Sequence, residues 1–536
     1  MPPCGLLLAN PYHHLPQTEI AGDSEPESSS RVTGTNSLPS RSFACIVHRS
    51  VSPSRMKTNL QGAAPSAISP PIRLPRERRL TLLGLMAVAF FTTCGGPFGL
   101  EPLPSAVGPG LAVVLILMAP LMWSLPMALM VAELATLMPE EGGYYIWVRE
   151  ALGSFWAVQE AWWTMGYSVG LLASFPVLFV SYISFFIPAL ATTPETPHAG
   201  MLAIVRWLIA IVFILSAMAV NLRGARDVGS SSKLSATFVL SAFGVLVLMW
   251  LVRGPAPGAV FGLIKRDLAT SNPAALLLGL SIINFNFAGW DNVSTFAAEV
   301  DRPQRNYPLA LAGALVAMVL SYLLPMLAGL AVSTDPVIWN TDSGWPAISR
   351  LIGGPWLGAL VATAGMVSMW ALFNAQLLYV SRLPFVMARD GWLPRLIADF
   401  SAKTGVPTVA ILLFCLITAI FAALPFGSLT VIVCLLYTPA LILEFLALIV
   451  LRIRRPNAPR AFRVPGGGWG MSYICVTFFA SSLLVLAATL HEWHSFPVQL
   501  LVVGIIVVSG VALYLLRNRA AAPLEGKTSA ADERIV

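Results

Sequence analysis

Two short stretches carry residue types that an apolar helix does not ordinarily hold at its middle. In the first, Cys94-Gly95-Gly96-Pro97-Phe98-Gly99-Leu100-Glu101, three glycines and a proline fall within five positions and an acid closes the run. The second, Asn284-Phe285-Asn286-Phe287-Ala288-Gly289-Trp290-Asp291, brings two asparagines, a glycine and an acid to the middle of another apolar run. Glycine and proline are poor helix formers, and proline also removes a main-chain donor. Both stretches are therefore predicted to interrupt their helices. Unwound main chain exposes N–H and C=O groups that lipid cannot satisfy, so it survives only when buried in protein or lining a wet cavity. There, half-helix N-termini can receive an anionic group and freed carbonyls a cation. Two matched interruptions are the sequence pattern of a solute-binding site; a packing kink between closely approaching helices is the competing reading.

Charges inside apolar spans are costly, which makes each one a functional candidate. Asp291 can bind the cationic group of a solute, or cap the helix that restarts after it. Glu101 follows the first interruption, where it either attracts an ammonium from an outer vestibule or reaches water as a loop residue. Glu160, Trp163 and Tyr167 are spaced by three and four and share one helical face. An acid beside two aromatics can bind an amine by ion pairing and cation–π contact. It can equally carry a proton, or snorkel among interfacial aromatics. Tyr437 and Glu444 are seven apart and share a face too, with Glu444 either a proton carrier or a structural acid. Glu133 and Glu299 lie near the inner ends of their helices and are expected to pair with basic residues. Trp370, Asn374 and Ser381 recur at helical spacing; Asn374 either hydrogen-bonds the solute or bonds a neighbouring helix. Phe98 and Trp290 flank the interruptions, as aromatic lids or as packing, and Gly95, Gly96, Gly99 and Gly289 supply the open main chain.

Composition says what must hold these residues. The 536-residue chain is 56% hydrophobic and 11% charged, against about 45–50% and 25% in soluble proteins, and its mean hydropathy is +0.75. So little charge cannot cover that much apolar surface in water; the solvent must be lipid. The net charge of +7 comes from arginines and lysines clustered between apolar runs, as membrane topology requires, so no nucleic-acid partner is expected. The cysteines Cys4, Cys45, Cys94, Cys415, Cys434 and Cys475 show no CxxC spacing and read as small, mostly buried residues. His13, His14, His48, His198, His491 and His494 lie in the tail or outer loops and form no metal-ligand set. No GxxxxGK[ST] motif supports ATP-driven pumping, and Gly466-Gly467-Gly468 reads as a flexible turn. No metal and no cofactor are expected.

Residues 1 to about 70 are rich in Ser, Pro and Thr and are expected to be disordered, with Met56 an alternative start to be tested by intact mass. The run Gly5–Leu8 is too short for a signal-peptide core. From Leu80 onward twelve apolar runs have the length a bilayer demands: 80–103, 109–137, 154–188, 201–220, 232–252, 274–298, 308–332, 355–386, 407–424, 428–452, 471–490 and 495–516. With an inner N-terminus, the alternate segments gather most of the arginines, from Arg73, Arg76, Arg78 and Arg79 through to Arg517 and Arg519. The opposite loops hold few: Arg253, Lys265, Arg266 and Arg350, with Arg206 at a helix start. That asymmetry predicts both termini, including the tail 517–536, on the cytoplasmic side.

At the level of motifs the chain resembles the amino acid–polyamine–organocation transporters. Gly95–Gly99 is similar to that family's first-helix glycine motif. Glu133-Leu134-Ala135 with Pro139-Glu140-Glu141-Gly142-Gly143-Tyr144 resembles its second-helix exit signature, and Ala298–Pro308 its loop after helix six. Gly95–Glu101, Phe155-Trp156, Gln159-Glu160, Trp290-Asp291, Leu436-Tyr437 and Leu443-Glu444-Phe445 resemble the plant-type polyamine uptake branch more closely. The chain departs from that branch at Met127 and near Leu171, where the branch carries acids, which weakens the attraction for a polycation.

The resemblance implies an all-α membrane protein with a LeuT-like five-plus-five inverted repeat, discontinuous at helices 1 and 6. Residues 80–252 and 274–452 would form the two repeats and 471–516 two accessory helices. It also implies proton-coupled import of amino acids or polyamines by alternating access at the plasma (inner) membrane. The expected solute contacts are Gly95, Gly96, Phe98, Gly99, Glu101, Glu160, Gly289, Trp290, Asp291, Asn374 and Tyr437, with Glu160 and Glu444 coupling protons. An exchanger of the same fold is the alternative. A channel is disfavoured, since channels build filters from repeated elements, as is a non-transporting sensor, and no catalytic cluster suggests an enzyme.

Overall fold

Proline at a first helical position costs nothing, because that N–H has no partner there anyway, and this chain opens helix after helix that way. In the computed structural model, residues 79–191, 199–253, 257–270, 273–339, 344–401, 403–423, 426–491 and 497–532 are described. The tail to Arg78, with Met56, Cys4, Cys45 and three of the histidines, lies outside them, as do His198, His494 and residues 533–536.

Thr81 caps α1 (Leu82–Thr93), its hydroxyl accepting from Gly84 N–H at 3.2 Å. Past the first interruption come α2 (Leu103–Val107) and α3 (Pro109–Ala119). Pro120 and Pro126 flank a π-turn at Pro120–Ser124 that leads into α4 (Leu125–Leu137), because each proline withholds a donor from the ladder. α5 (Gly143–Leu152) and α6 (Ser154–Ser184) follow, then α7 (Ala199–Asn221), α8 (Ala225–Val252), α9 (Pro257–Thr270) and α10 (Pro273–Asn286). After the second interruption the main chain makes two 3₁₀ turns, Asn292–Thr295 and Ala297–Glu299. It continues as α11 (Pro303–Val332), α12 (Pro336–Trp339), α13 (Gly344–Gly353), α14 (Pro355–Val380), α15 (Arg382–Arg389), α16 (Thr408–Phe421), α17 (Phe426–Arg454), α18 (Gly467–His491) and α19 (Pro497–Asp532). Among the described residues the only extended pairings are isolated bridges, Leu80 with Val300 and Glu141 with Phe296.

Nine described helices are long and apolar enough to cross a membrane, and Leu82–Thr93, Ala275–Asn286 and Thr408–Phe421 are shorter apolar helices. The chain is a multi-pass membrane protein. α6 packs between α17 and α14, and α1 against α8, α11 and α14, which makes these helices the interior. α19 instead presents Leu501, Ile505 and Val508 outward, and α7 presents Met201, Ile204 and Val212. Large aliphatic side chains pointing outward from a long helix suit lipid as the solvent.

The segments expected as loops are more structured than their composition suggests. α5 buries Tyr144, Tyr145, Ile146, Trp147 and Val148, and α13 buries Trp345, Ile348 and Ile352. Both are short amphipathic helices whose apolar stripes are too brief to register as spans. α9 docks on the start of α3: its Asp267 carboxylate accepts at 2.7 Å from the N–H of Gly110, 157 residues earlier, and so caps that helix. The last helix runs past the expected end at 516 to Asp532, through Pro523 and Gly526, which propensity alone would read as a stop.

Candidate functional site

The site is built from main chain first. α1 stops at Thr93 because Gly95, Gly96 and Gly99 take φ of +66°, +107° and +92°, the left-handed region that side chains resist. α10 stops at Asn286, and Gly289 takes φ +96°. Interrupted ladders leave polar groups that must be met elsewhere, and here side chains from distant helices meet them. Ser368 of α14 donates to the Gly95 carbonyl, and Gln376 Nε2 of the same helix to the Thr92 carbonyl at 3.3 Å. Trp345 Nε1 donates to Pro97 O at 2.7 Å. Tyr322 of α11 donates to Asn286 O at 2.6 Å. The two interruptions also hold each other: Asn286 Nδ2 donates to Gly99 O at 3.0 Å. Gly289 lies so close to the Thr92 carbonyl that a Cβ there would overlap it.

Tyr437 of α17 joins main chain to charge. Its hydroxyl accepts from Gly289 N–H at 2.6 Å and donates to Asp291 Oδ1 at 2.7 Å. Asp291 is buried, and its side chain makes no cap bond to the turn that follows. Tyr167 stacks edge-on against Tyr437, with ring centroids 5.0 Å apart, and donates to Asn292 Oδ1 at 3.1 Å. Glu160, two turns away on the same face of α6, accepts from Thr164 at 3.0 Å. Its Oε2 and that of Glu444 are buried with no hydrogen-bond partner among the described residues. Glu444 lies within electrostatic reach of both Asp291 and Glu160. α6, α17 and the second interruption thus bring three carboxylates together. Buried carboxylate oxygens without donors are positions where a cation or a proton is stabilising.

The other residues singled out in the sequence fall into two further places. Phe98 is buried edge-on to Tyr182 and Phe243, at 5.2 and 5.3 Å, in an aromatic string that continues to Trp345 and Trp339. Glu101 sits in the same region. It is only 6% exposed, accepting from Gly99 N–H at 2.5 Å and from Tyr182 at 3.0 Å, with the start of α13 lying over it. Its carboxylate braces the first interruption instead of standing in an open vestibule. Gly96 faces Val239 and Phe98. Trp290 is fully buried and its Nε1 has no partner among the described residues. Asn374 accepts from Asn221 of α7 at 2.9 Å and donates to Trp370 O at 2.8 Å, so its amide ties α14 to α7.

Glu299 pairs with buried Arg382 through two bonds, Nε to Oε1 at 2.8 Å and Nη2 to Oε2 at 3.2 Å. Glu133 pairs with Arg452 and accepts from Val464 N–H at 2.8 Å, with Arg460 3.0 Å away. Both acids thus find the basic partners expected of them. Sequence reasoning missed Tyr144, whose buried hydroxyl has no partner among the described residues and lies in electrostatic reach of Glu160, Asp291 and Glu444. It also missed Tyr379, which exchanges a hydrogen bond with Ser168 at 2.8 Å and accepts through its carbonyl from Thr295. Both sit on helical faces that carry no charge to mark them. Among the described residues no group of three or more His, Cys, Asp or Glu side chains could hold a metal ion.

Known proteins resemble this chain over most of its length. The amino acid permease family matches residues 83–508. A probable polyamine transporter of Arabidopsis thaliana is 35% identical over 439 residues, covering 81% of this chain and 86% of its own. A polyamine transporter of Oryza sativa subsp. japonica is 34% identical over 454 residues, covering 84% and 80%. Another polyamine transporter of Arabidopsis thaliana is 32% identical over 445 residues, covering 82% and 87%. Interrupted helices, buried acids and an unbroken match across nearly all the spans place the chain in the amino acid permease family, a branch of the amino acid–polyamine–organocation superfamily.

Proposed function

We propose that this protein imports a cationic amine, a polyamine or a basic amino acid, by proton symport through alternating access. The observation that carries the reading is the triad of buried carboxylates, Asp291, Glu160 and Glu444, gathered beside an interrupted helix with two oxygens left without donors. A buried acid without a counter-charge is costly, and an ammonium from the solute or a proton relieves that cost. Asp291, held by Tyr437, is the ligand for the amine; Tyr167, Tyr437 and Trp290 supply aromatic surface for it. Glu160 and Glu444 alternate between proton and solute. Gly95, Gly96 and Gly99 give the main chain that receives a carboxylate when the solute is an amino acid, with Phe98 and Glu101 above it. The names of the relatives favour polyamines. Buried Met127 and half-buried Leu171 leave this chain with fewer acids than that branch, which favours shorter diamines over longer polycations.

In this reading twelve spans arrange as two five-helix repeats, 80–252 and 274–452, with 471–516 accessory. Both termini lie in the cytoplasm and the protein resides in the plasma membrane. The test is uptake by purified protein in proteoliposomes, with an imposed pH gradient and no internal solute. Labelled putrescine is the probe, with spermidine, arginine and neutral amino acids as competitors. Saturable, gradient-driven uptake that Asp291→Asn lowers at least about 100-fold is expected, since removing one buried charge partner costs about 3 kcal/mol or more. Uptake that ignores the gradient and demands internal solute would make the protein an exchanger. Intact cation uptake by Asp291→Asn would remove that carboxylate from the site.

A further inference from the structure

The loop between α4 and α5 holds an acid that the transport reading does not use. Glu141 is buried, and its Oε1 has no hydrogen-bond partner among the described residues. It lies where three segments close over the turns that follow the second interruption. Glu141 pairs with Phe296 as an isolated bridge, and Gly142 N–H donates to Thr295 O at 2.7 Å. Gly143 packs against the Ser294 main chain without room for a side chain. From the other side, Leu80 N–H donates to Glu299 O at 2.8 Å and Asp301 N–H to Leu80 O at 2.9 Å. The approach to the site from the arginine-rich face is thus shut by main-chain bonds between the 141–143 loop, the start of α1 and the 292–299 turns.

The charges around this closure are unbalanced. Three groups act on Glu141: Glu299 from the turns, and Arg382 and Arg389 from α15. Arg382 is committed, with Nε and Nη2 on Glu299 and Nη1 on Ser381 at 2.8 Å. Arg389 stands over the Phe385 ring, 5.9 Å from its centroid. Glu140, the neighbour on the loop, is exposed. With Glu141 neutral, Glu299 and Arg382 cancel, and Arg389 keeps its charge without bonding Glu141 Oε1. An ionised Glu141 places a second carboxylate beside Glu299 with no donor for Oε1, and a buried charge of that kind is relieved only by reaching water.

We propose that Glu141 is a proton-operated latch on this face: protonated it keeps the 141–143 loop docked on Thr295 and Phe296, ionised it drives the loop off. Burial, reinforced by the Glu299 carboxylate, pushes the docked Glu141 carboxyl up to about 8 against the pull of the two arginines. The sign follows from linkage. The docked form has the raised value, so docking is fully favoured below the ordinary carboxylate range and is lost as pH rises through about 8. In the proposed orientation this face is cytoplasmic, so acidification of the cytosol closes it and slows further proton-coupled import. The latch rests on the transport reading for its purpose, but its operation can be read without any solute.

The experiment places one reporter thiol, Ser294→Cys, in a chain whose native cysteines are replaced, reconstituted in nanodiscs open on both faces. Maleimide labelling rates are measured from pH 6.5 to pH 9, and each is divided by the rate in the same chain carrying Glu141→Gln. The ratio removes the titration of the thiol itself. A carboxyl that titrates near 8 goes from about 3% to about 90% ionised over that range, so the ratio is expected to rise about thirtyfold. In Glu299→Gln, which frees Arg382 to pair with Glu141, the same ratio should stay flat. A ratio constant within about twofold in the parent chain, or no labelling at any pH, would overturn the latch. Failure here leaves gradient-driven uptake untouched, and absence of uptake leaves the latch standing.

Discussion

Tyr437→Phe removes one oxygen from a position where that oxygen serves two partners. The ring, its volume and its edge-on contact with Tyr167 remain. What is lost is the acceptor for Gly289 N–H at 2.6 Å and the donor to Asp291 at 2.7 Å. A buried N–H left without a partner costs about 1–3 kcal/mol, and a hydrogen bond to a charged group is worth about 1.5–3 kcal/mol. Because both run through a single hydroxyl and partly relax together, we expect about 3 kcal/mol, equivalent to roughly 150-fold in apparent affinity. Tyr167→Phe sets the scale, since it gives up only the bond to Asn292 at 3.1 Å and should cost about 1 kcal/mol, or roughly fivefold. The assay is the KM for putrescine uptake in proteoliposomes, with the melting temperature of the purified protein beside it. If Tyr437→Phe stays within about threefold of the parent in KM, or if Tyr167→Phe proves the worse of the two, the hydroxyl does not organise the site.

Two further substitutions probe how the helices are held. Gly289→Ala puts a Cβ onto the Thr92 carbonyl in a left-handed conformation, and because main chain cannot yield as a flexible side chain can, we expect a loss above about 3 kcal/mol and little monodisperse protein on size exclusion. Gly153→Ala, also left-handed but facing open space, should pay only the backbone penalty of about 1–2 kcal/mol and fold; equal yields would refute the close approach. Asn221→Ala and Asn374→Ala should each lower stability by about 1–2 kcal/mol, and the double variant by clearly less than their sum. A raised KM with unchanged melting in Asn374→Ala would instead assign that amide to the solute.

The interruptions were legible because Gly95, Gly96, Pro97 and Asn286 are anomalies against an apolar background, and an anomaly needs no partner to be noticed. Glu160 and Tyr167 were legible for a related reason: helical spacing alone puts them on one face. What the sequence hides is pairing across distance. Nothing local says that Asn374 meets Asn221, that Tyr322 closes the end of α10, or that Asp267 caps α3. Glu101 shows the same limit. Its position after the first interruption suggests a carboxylate facing outward, yet α13, whose short apolar stripe resembles a loop in the sequence, folds over it. α5 went unseen for the same cause, and with it Tyr144, whose hydroxyl lies in electrostatic reach of all three carboxylates.

The meeting of Gly289 with the Thr92 carbonyl is main chain against main chain, and this bears on how such a carrier can be re-tuned. A contact made without side chains offers mutation nothing to exchange except its own integrity. On the proposed reading, changes of preference, whether selected in nature or engineered, come instead from the residues around it: Tyr167, Trp290, Glu160 and Tyr437. That main-chain contact can stay fixed across carriers that accept quite different cargoes, while the residues facing it diverge.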